Sequence, residues 1–461
     1  MSLLRSRTLT TRNAPVHRWV WYRRTAIGGL TLLGVCWAGT VPAQPSSGGR
    51  PAARPSGKAP VAVAGKSFLE RVIQRRNPTE WKLQTFIHLD SYQNTNVGSP
   101  TKGPGAGTPG QSPVTIIPFN FETAAIVFPV PPSTAGSEMP DRGVTARIRM
   151  DGTIFQAKPT WIPDLPCGAK YGRWDLTTFK GRTIDLEFET LQTCWEIVFD
   201  EAAANKAVWP TANKWSADAR SAWDAQLGIE PGLASVRDAL TKWCEGKPPQ
   251  SIPPVQLAKF LASKVLEGIQ PSGDGLVSSR TGLLQGFALK GHDTVLKDSR
   301  GSEHDIAALL CAVYRAAGLP ARIIIGFDVS ESDPQTAGLA HNGEGAVHTW
   351  VEFCVEDETV LAANGFPTRL WIPVDVARQR KTSNKAPPLD RPWKYFGSSD
   401  QTDSMIPLAF HFHPPLSGAV AHGSPLLWGW MTTPEAQPAA QSIRFLAGQP
   451  SKTVTPRNGT K

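Results

Sequence analysis

The stretch that decides the fold runs from Arg300 to Asp375 and holds three blocks: RGSEHDIAALLCAVYRAAGLPARIIIGFD (300–328), AVHTWVEF (346–353) and RLWIPVD (369–375). In the first block Ile306, Leu309, Leu310, Val313 and Ala317 recur at helical spacing, so 306–317 reads as a buried helix. Gly318 ends it and Pro320 follows, which is ordinary helix-stop chemistry. Residues 322–327, 348–355 and 369–374 then read as strands, giving a helix followed by an antiparallel sheet.

The arrangement R-A-A-G-L-P-A-R (315–322), H-T-W-V-E (348–352) and P-V-D (373–375) resembles the core of the transglutaminase-like superfamily, whose scaffold is papain-like. The resemblance is clear over about 255–400 and looser over 114–250. It implies a Cys nucleophile at a helix start, a His base on the sheet and an Asp that orients the His. On this sequence the His falls on His348 and the Asp on Asp375. The nucleophile position falls on Glu303, so the scaffold of a cysteine enzyme is present without its cysteine.

The chemistry makes that departure consequential. A thiol at a helix N-terminus feels the dipole and free N–H groups, which favour thiolate. A neighbouring imidazole takes the proton, and a carboxylate holds that ring in the right tautomer. Glu303 cannot act as a soft acyl acceptor. It also has a bland reading as one acidic residue in a first helical turn, with Ser302 as N-cap and Asp305 three residues on, resembling a capping box. Ser302 is the nearest alternative nucleophile, but one residue turns a helical side chain by about 100°. Cys311 lies about 12 Å further along the helix. Cys354 lies about 20 Å along the strand from His348. A metal held by Glu303, His304, His348 and Asp375, with His341 nearby, has no recognised ligand spacing behind it. His348, Trp350 and Glu352 share one face of their strand. Trp350, with Ser302 and His304 at the helix start, is therefore the expected binding set. No cofactor and no metal are expected.

The chain has 461 residues, 40% of them hydrophobic, and 16 tryptophans, which is enough for two or three domains. Its formal charge of +9 is concentrated at the start. Ten of the 48 basic residues precede Glu70, the first acidic one, and the other 38 nearly cancel the 39 acidic residues. A nucleic-acid partner therefore lacks electrostatic support. Basic residues up to Arg24, an apolar run over 26–38 and Val41-Pro42-Ala43 read as a signal peptide over 1–43, with an uncleaved anchor as the alternative. The expected location is exported: periplasmic, cell envelope or secreted, without stable membrane insertion once the signal is removed. Five cysteines remain: Cys167, Cys194, Cys244, Cys311 and Cys354. Cys167 and Cys194 share a β-rich region and could bridge, which spacing alone does not establish.

The expected fold class is α+β. Residues 44–65 form a flexible linker, 66–205 a β-rich, sandwich-like domain and 206–250 a helical connector. Residues 251–400 form the transglutaminase-like core, and 401–461 an extension largely without order after about 433. The function this supports is a catalytically degenerate module that binds peptide, protein or cell-wall amide groups, or serves structurally. The alternative is an active acyl-transfer enzyme or amide hydrolase that uses His348 and Asp375 with an atypical nucleophile or a metal.

Overall fold

Along 183–190, buried Ile184, Leu186 and Phe188 alternate with the partly exposed Asp185, Glu187 and Glu189. Period-two burial of this kind makes a strand with one face in a core, and the long strand Thr183–Phe199 pairs antiparallel with an equally long one, Ile73–Asp90. The computed structural model describes residues 67–94, 116–130, 133–140, 144–155, 158–177, 180–211, 214–223, 229–278, 284–331, 347–361, 367–412, 428–434 and 441–449. The expected signal peptide, the linker, the 96–111 loop and His341 lie outside the described residues. All described residues belong to the contact unit that spans 60–461.

The two long strands are the centre of an eight-stranded sheet. A four-stranded sheet, ordered Gly429–Thr433, Thr123–Val130, Ala169–Leu176 and Thr160–Leu165, packs on it. Phe128 from the smaller sheet stacks on Phe188 of the larger at 4.3 Å, and Trp174 meets the same ring edge-on at 4.7 Å. The expected sandwich therefore closes through aromatic rings on the inner faces.

The second body of structure is the helix Glu303–Ala316, laid against a four-stranded antiparallel sheet. That sheet is ordered Pro367–Val374, Val347–Leu361, Ala321–Asp328 and Met405–Phe410. Every residue of Ala321–Asp328 is buried, because the strand is central and covered on both faces. The helix Pro254–Gly268 packs beside the core helix; Tyr314 donates its hydroxyl to the Ala258 carbonyl at 2.9 Å. The fold class is thus α+β as expected, with seven α-helices among the described residues and sheets that are almost wholly antiparallel.

Two sequence expectations need correction, and one open pairing is decided. The extension, expected to be largely without order after 433, holds an ordered element: Gln441–Gly448 is a strand of the large sheet, paired with Ile73–Asp90. Its buried Ile443, Phe445 and Ala447 alternate with Arg444 and Leu446, a pattern masked by the Pro- and Ala-rich residues before it. The boundary at 400 is crossed as well. Met405–Phe410 is the edge strand of the core sheet, while Leu284–Phe287, from within the core segment, joins the large sheet. Finally, the Cys167–Cys194 pairing that spacing left open is not formed, and all five described cysteines are buried.

Candidate active site

The core helix begins on a complete capping box. Ser302 Oγ accepts from the Asp305 N–H at 3.2 Å, and Asp305 Oδ2 accepts from the Ser302 N–H at 3.0 Å. The Ser302 hydroxyl itself donates to Asp305 Oδ2 at 2.8 Å. That box fixes where Glu303, the first helical residue, points.

His348 enters from the neighbouring strand, opposite Gly326. Gly326 has to be glycine: a Cβ there would lie 2.6 Å from Trp350 Cζ3, and the Trp350 ring lies almost parallel to His348, with centroids 6.3 Å apart. Asp375 ends the adjacent strand and caps the next helix, Val376–Thr382, its Oδ1 accepting from the Arg378 N–H at 2.9 Å.

These three side chains meet. Glu303 Oε1 is 3.1 Å from His348 Nδ1, and Asp375 Oδ2 is 2.6 Å from His348 Nε2. Ionised carboxylates only accept, so a ring facing one at each nitrogen donates from both and is an imidazolium. Burial works against that charge, but Asp375 and Glu303 overcome it and raise the His348 pKa well above its ordinary value. Burial likewise pushes Glu303 up, yet the facing imidazolium wins and holds its carboxyl at about 2. The imidazolium therefore has no free base nitrogen, and no thiol stands where one would be activated.

A second pair of charges backs the first. The Arg378 guanidinium pairs with Asp328, which is fully buried at the end of the central strand, and its Nε lies 3.7 Å from Asp375 Oδ2. Arg378 also donates to Gln401 Oε1 at 3.0 Å. Sequence reading missed this layer. Arg378 stands three residues after Asp375 in the first turn of a capped helix, but its partner Asp328 is fifty residues away.

The expected binding set is also corrected. Ser302 and His304 are 1% exposed and Trp350 3%, so none presents a surface to a ligand. Ser302 belongs to the cap, its hydroxyl bonded to Asp305, while both His348 nitrogens face Glu303 and Asp375. His304 turns into the core, with Nδ1 2.7 Å from Thr349 Oγ1 and the ring edge-on to Phe287; burial lowers its pKa to about 4. Cys311 is fully buried and interacts with Arg315, not His348, and burial raises its thiol pKa. Cys354 is buried further along the strand, its thiol also pushed up by burial. Among the described residues, no group of three or more His, Cys, Asp or Glu side chains is arranged to hold a metal.

Residues 286–376 match the model of the transglutaminase-like superfamily, and this stretch is a core of that superfamily. Among solved structures, a candidate cysteine protease from Cytophaga hutchinsonii is similar at 10% identity, with 82% of this chain and 93% of that one covered and a TM-score of 0.43. A candidate protease from Parabacteroides distasonis is similar at 13% identity, over 56% of this chain and 63% of that one, with a TM-score of 0.19. Red sea bream transglutaminase follows at 12% identity, over 57% and 49%, with a TM-score of 0.24. No curated protein matches the chain.

Proposed function

We propose that this protein is an exported, catalytically degenerate member of its superfamily, in which the acyl-transfer site has become a charge clamp. The clamp stiffens a core that binds peptide or cell-wall amide groups or holds neighbouring structure in place. The observation that carries the reading is the pair of hydrogen bonds at His348, to Glu303 on one nitrogen and Asp375 on the other. A ring donating at both nitrogens cannot take a proton from a nucleophile, and a carboxylate at the nucleophile position cannot accept an acyl group as a thiolate does. Export rests on the basic and apolar pattern of residues 1–43.

The test restores the missing atom. The purified wild-type chain is expected to incorporate no amine into casein. Glu303→Cys places a thiol at a helix start beside His348, and its residue 303 is expected to alkylate with iodoacetamide near neutral pH. Adding His348→Ala should slow that alkylation. Turnover by the wild-type chain that disappears in His348→Ala overturns the reading.

A further inference from the structure

A cavity of about 610 Å³ lies apart from the Glu303–His348–Asp375 cluster, with none of those residues in its lining. Its walls include Glu201, Asn205, Lys259, Phe260, Leu389 and Asp390. That size suits a small ligand, and the mixture of apolar wall with a few polar groups is what such sites look like.

The polar groups are unevenly satisfied. Lys259, only 2% exposed, donates from Nζ to Glu201 Oε1 and to the Arg391 carbonyl, both at 2.6 Å. The same ammonium lies over Trp393 and Phe396, 5.6 and 5.8 Å from the ring centroids. Lys259 thus reaches Glu201 through Oε1 alone, and Glu201 Oε2 is left over. It is buried and has no hydrogen-bond partner among the described residues, and neither has Asn205 Oδ1. Glu201 opens the helix Glu201–Ala204 and Asn205 is its C-cap, four residues on, so the two side chains leave the same side of the helix. Folded proteins rarely leave buried acceptors bare, and two on the same side of one helix, both lining the cavity, call for a donor from it. The charges point the same way: Glu201 and Asp390 outnumber Lys259, leaving the cavity one negative charge in excess.

The geometry points to a site for a primary alkylammonium group, its N–H donors shared between Glu201 Oε2 and Asn205 Oδ1 and its carbon chain lying on Phe260 and Leu389. A free amine and a lysine side chain both carry this chemistry.

Binding is measured on the full chain by tryptophan fluorescence, since Trp393 lies against Lys259, with n-butylammonium chloride as probe. A saturable change is expected. Tetramethylammonium, which has the charge without N–H, and n-butanol, which has the chain without the charge, should neither produce it nor compete. Asn205→Leu should weaken binding at least about tenfold, the loss of one hydrogen bond to a charged group. Should that variant fail to fold, Asn205→Asp, with a second carboxylate, should bind more tightly than wild type. Competition by a doubly blocked lysine peptide assigns the site to side chains, and its failure alongside butylammonium binding assigns it to free amines. Equal responses to butylammonium and tetramethylammonium, or unchanged binding in both Asn205 variants, overturn the proposal and leave the two acceptors to solvent. None of these outcomes depends on whether the Glu303 site is active.

Discussion

Two buried charge clusters hang on the strand Val347–Leu361, four residues apart, and they differ in balance. At Glu352 one anion meets one cation. Arg322 donates to Glu352 Oε2 from Nε and Nη2, at 2.9 and 2.7 Å, while Oε1 takes the Ala135 N–H at 3.0 Å. The guanidinium lies between Trp371 and Phe410, 4.2 Å from each ring, and both ions are closed off from water. At His348 one imidazolium meets two carboxylates, and Glu303 remains 28% exposed. The first cluster has every mark of an element that only holds the fold together. The second sets two carboxylates on one ring and keeps an opening at Glu303. Buried charge alone therefore does not mark a site; imbalance combined with residual exposure does.

The comparison breaks most visibly when each cation is removed. Arg322→Ala leaves Glu352 buried without a partner and should lower stability by about 3–5 kcal/mol, read as a fall in the urea midpoint at constant slope. His348→Ala also strands two carboxylates, but Glu303 can turn to water and Arg378 Nε stays 3.7 Å from Asp375 Oδ2, so its cost should sit at about 3 kcal/mol or less. If His348→Ala proves the more damaging, the His348 cluster is the tighter structural element and the contrast drawn between the two collapses.

How much of this was legible follows from the range of the interactions. His348 and Asp375 could be placed because the blocks around them are local: a strand start and a strand end, each within a few residues of a distinctive neighbour. The capping box at Ser302 and Asp305 is more local still, and its signal was readable in four residues. Glu303 was located by counting from those anchors, but no local rule says that its carboxylate would turn toward an imidazole 45 residues away. The Arg378–Asp328 pair was invisible for the same reason. The strand Gln441–Gly448 was missed because its partner lies some 350 residues earlier, and its alternation is too short to outweigh the composition around it.

A smaller effect sharpens the electrostatic half of the contrast. Glu303 falls from an ordinary 4.5 to about 2 in the fold, so its contribution is present above about pH 4.5 and is lost as pH drops toward 2. His348 is raised above its ordinary 6.5, so its contribution is complete below about 6.5 and fades as pH climbs through the raised value. The clamp is thus at full strength between about pH 4.5 and 6.5. His292 and His304, each lowered to about 4 by burial, run the other way and lose stability as pH falls from 6.5 through 4. The informative quantity is therefore the difference between wild type and Glu303→Gln, in which those two largely cancel. That gap should be about 1–2 kcal/mol on the plateau and should close on both sides. A gap that keeps widening above neutral pH contradicts a protonated His348.

The smallest change separates cap from nucleophile at Ser302. As a cap, its hydroxyl accepts from the Asp305 N–H and sits in a box that Ala cannot rebuild, so Ser302→Ala should cost about 1 kcal/mol and shorten no other part of the fold. As a nucleophile, it would have to face His348, but both His348 nitrogens already face carboxylates and Ser302 faces Asp305. The two roles diverge in the Glu303→Cys background. There the Ser302→Ala change should leave the rate of iodoacetamide alkylation at residue 303 nearly unchanged while lowering the melting temperature by about 1–2 °C, roughly what 1 kcal/mol gives a chain of this size. A large drop in alkylation with no change in melting would mean that Ser302 acts on the site's chemistry and not on the helix that carries it.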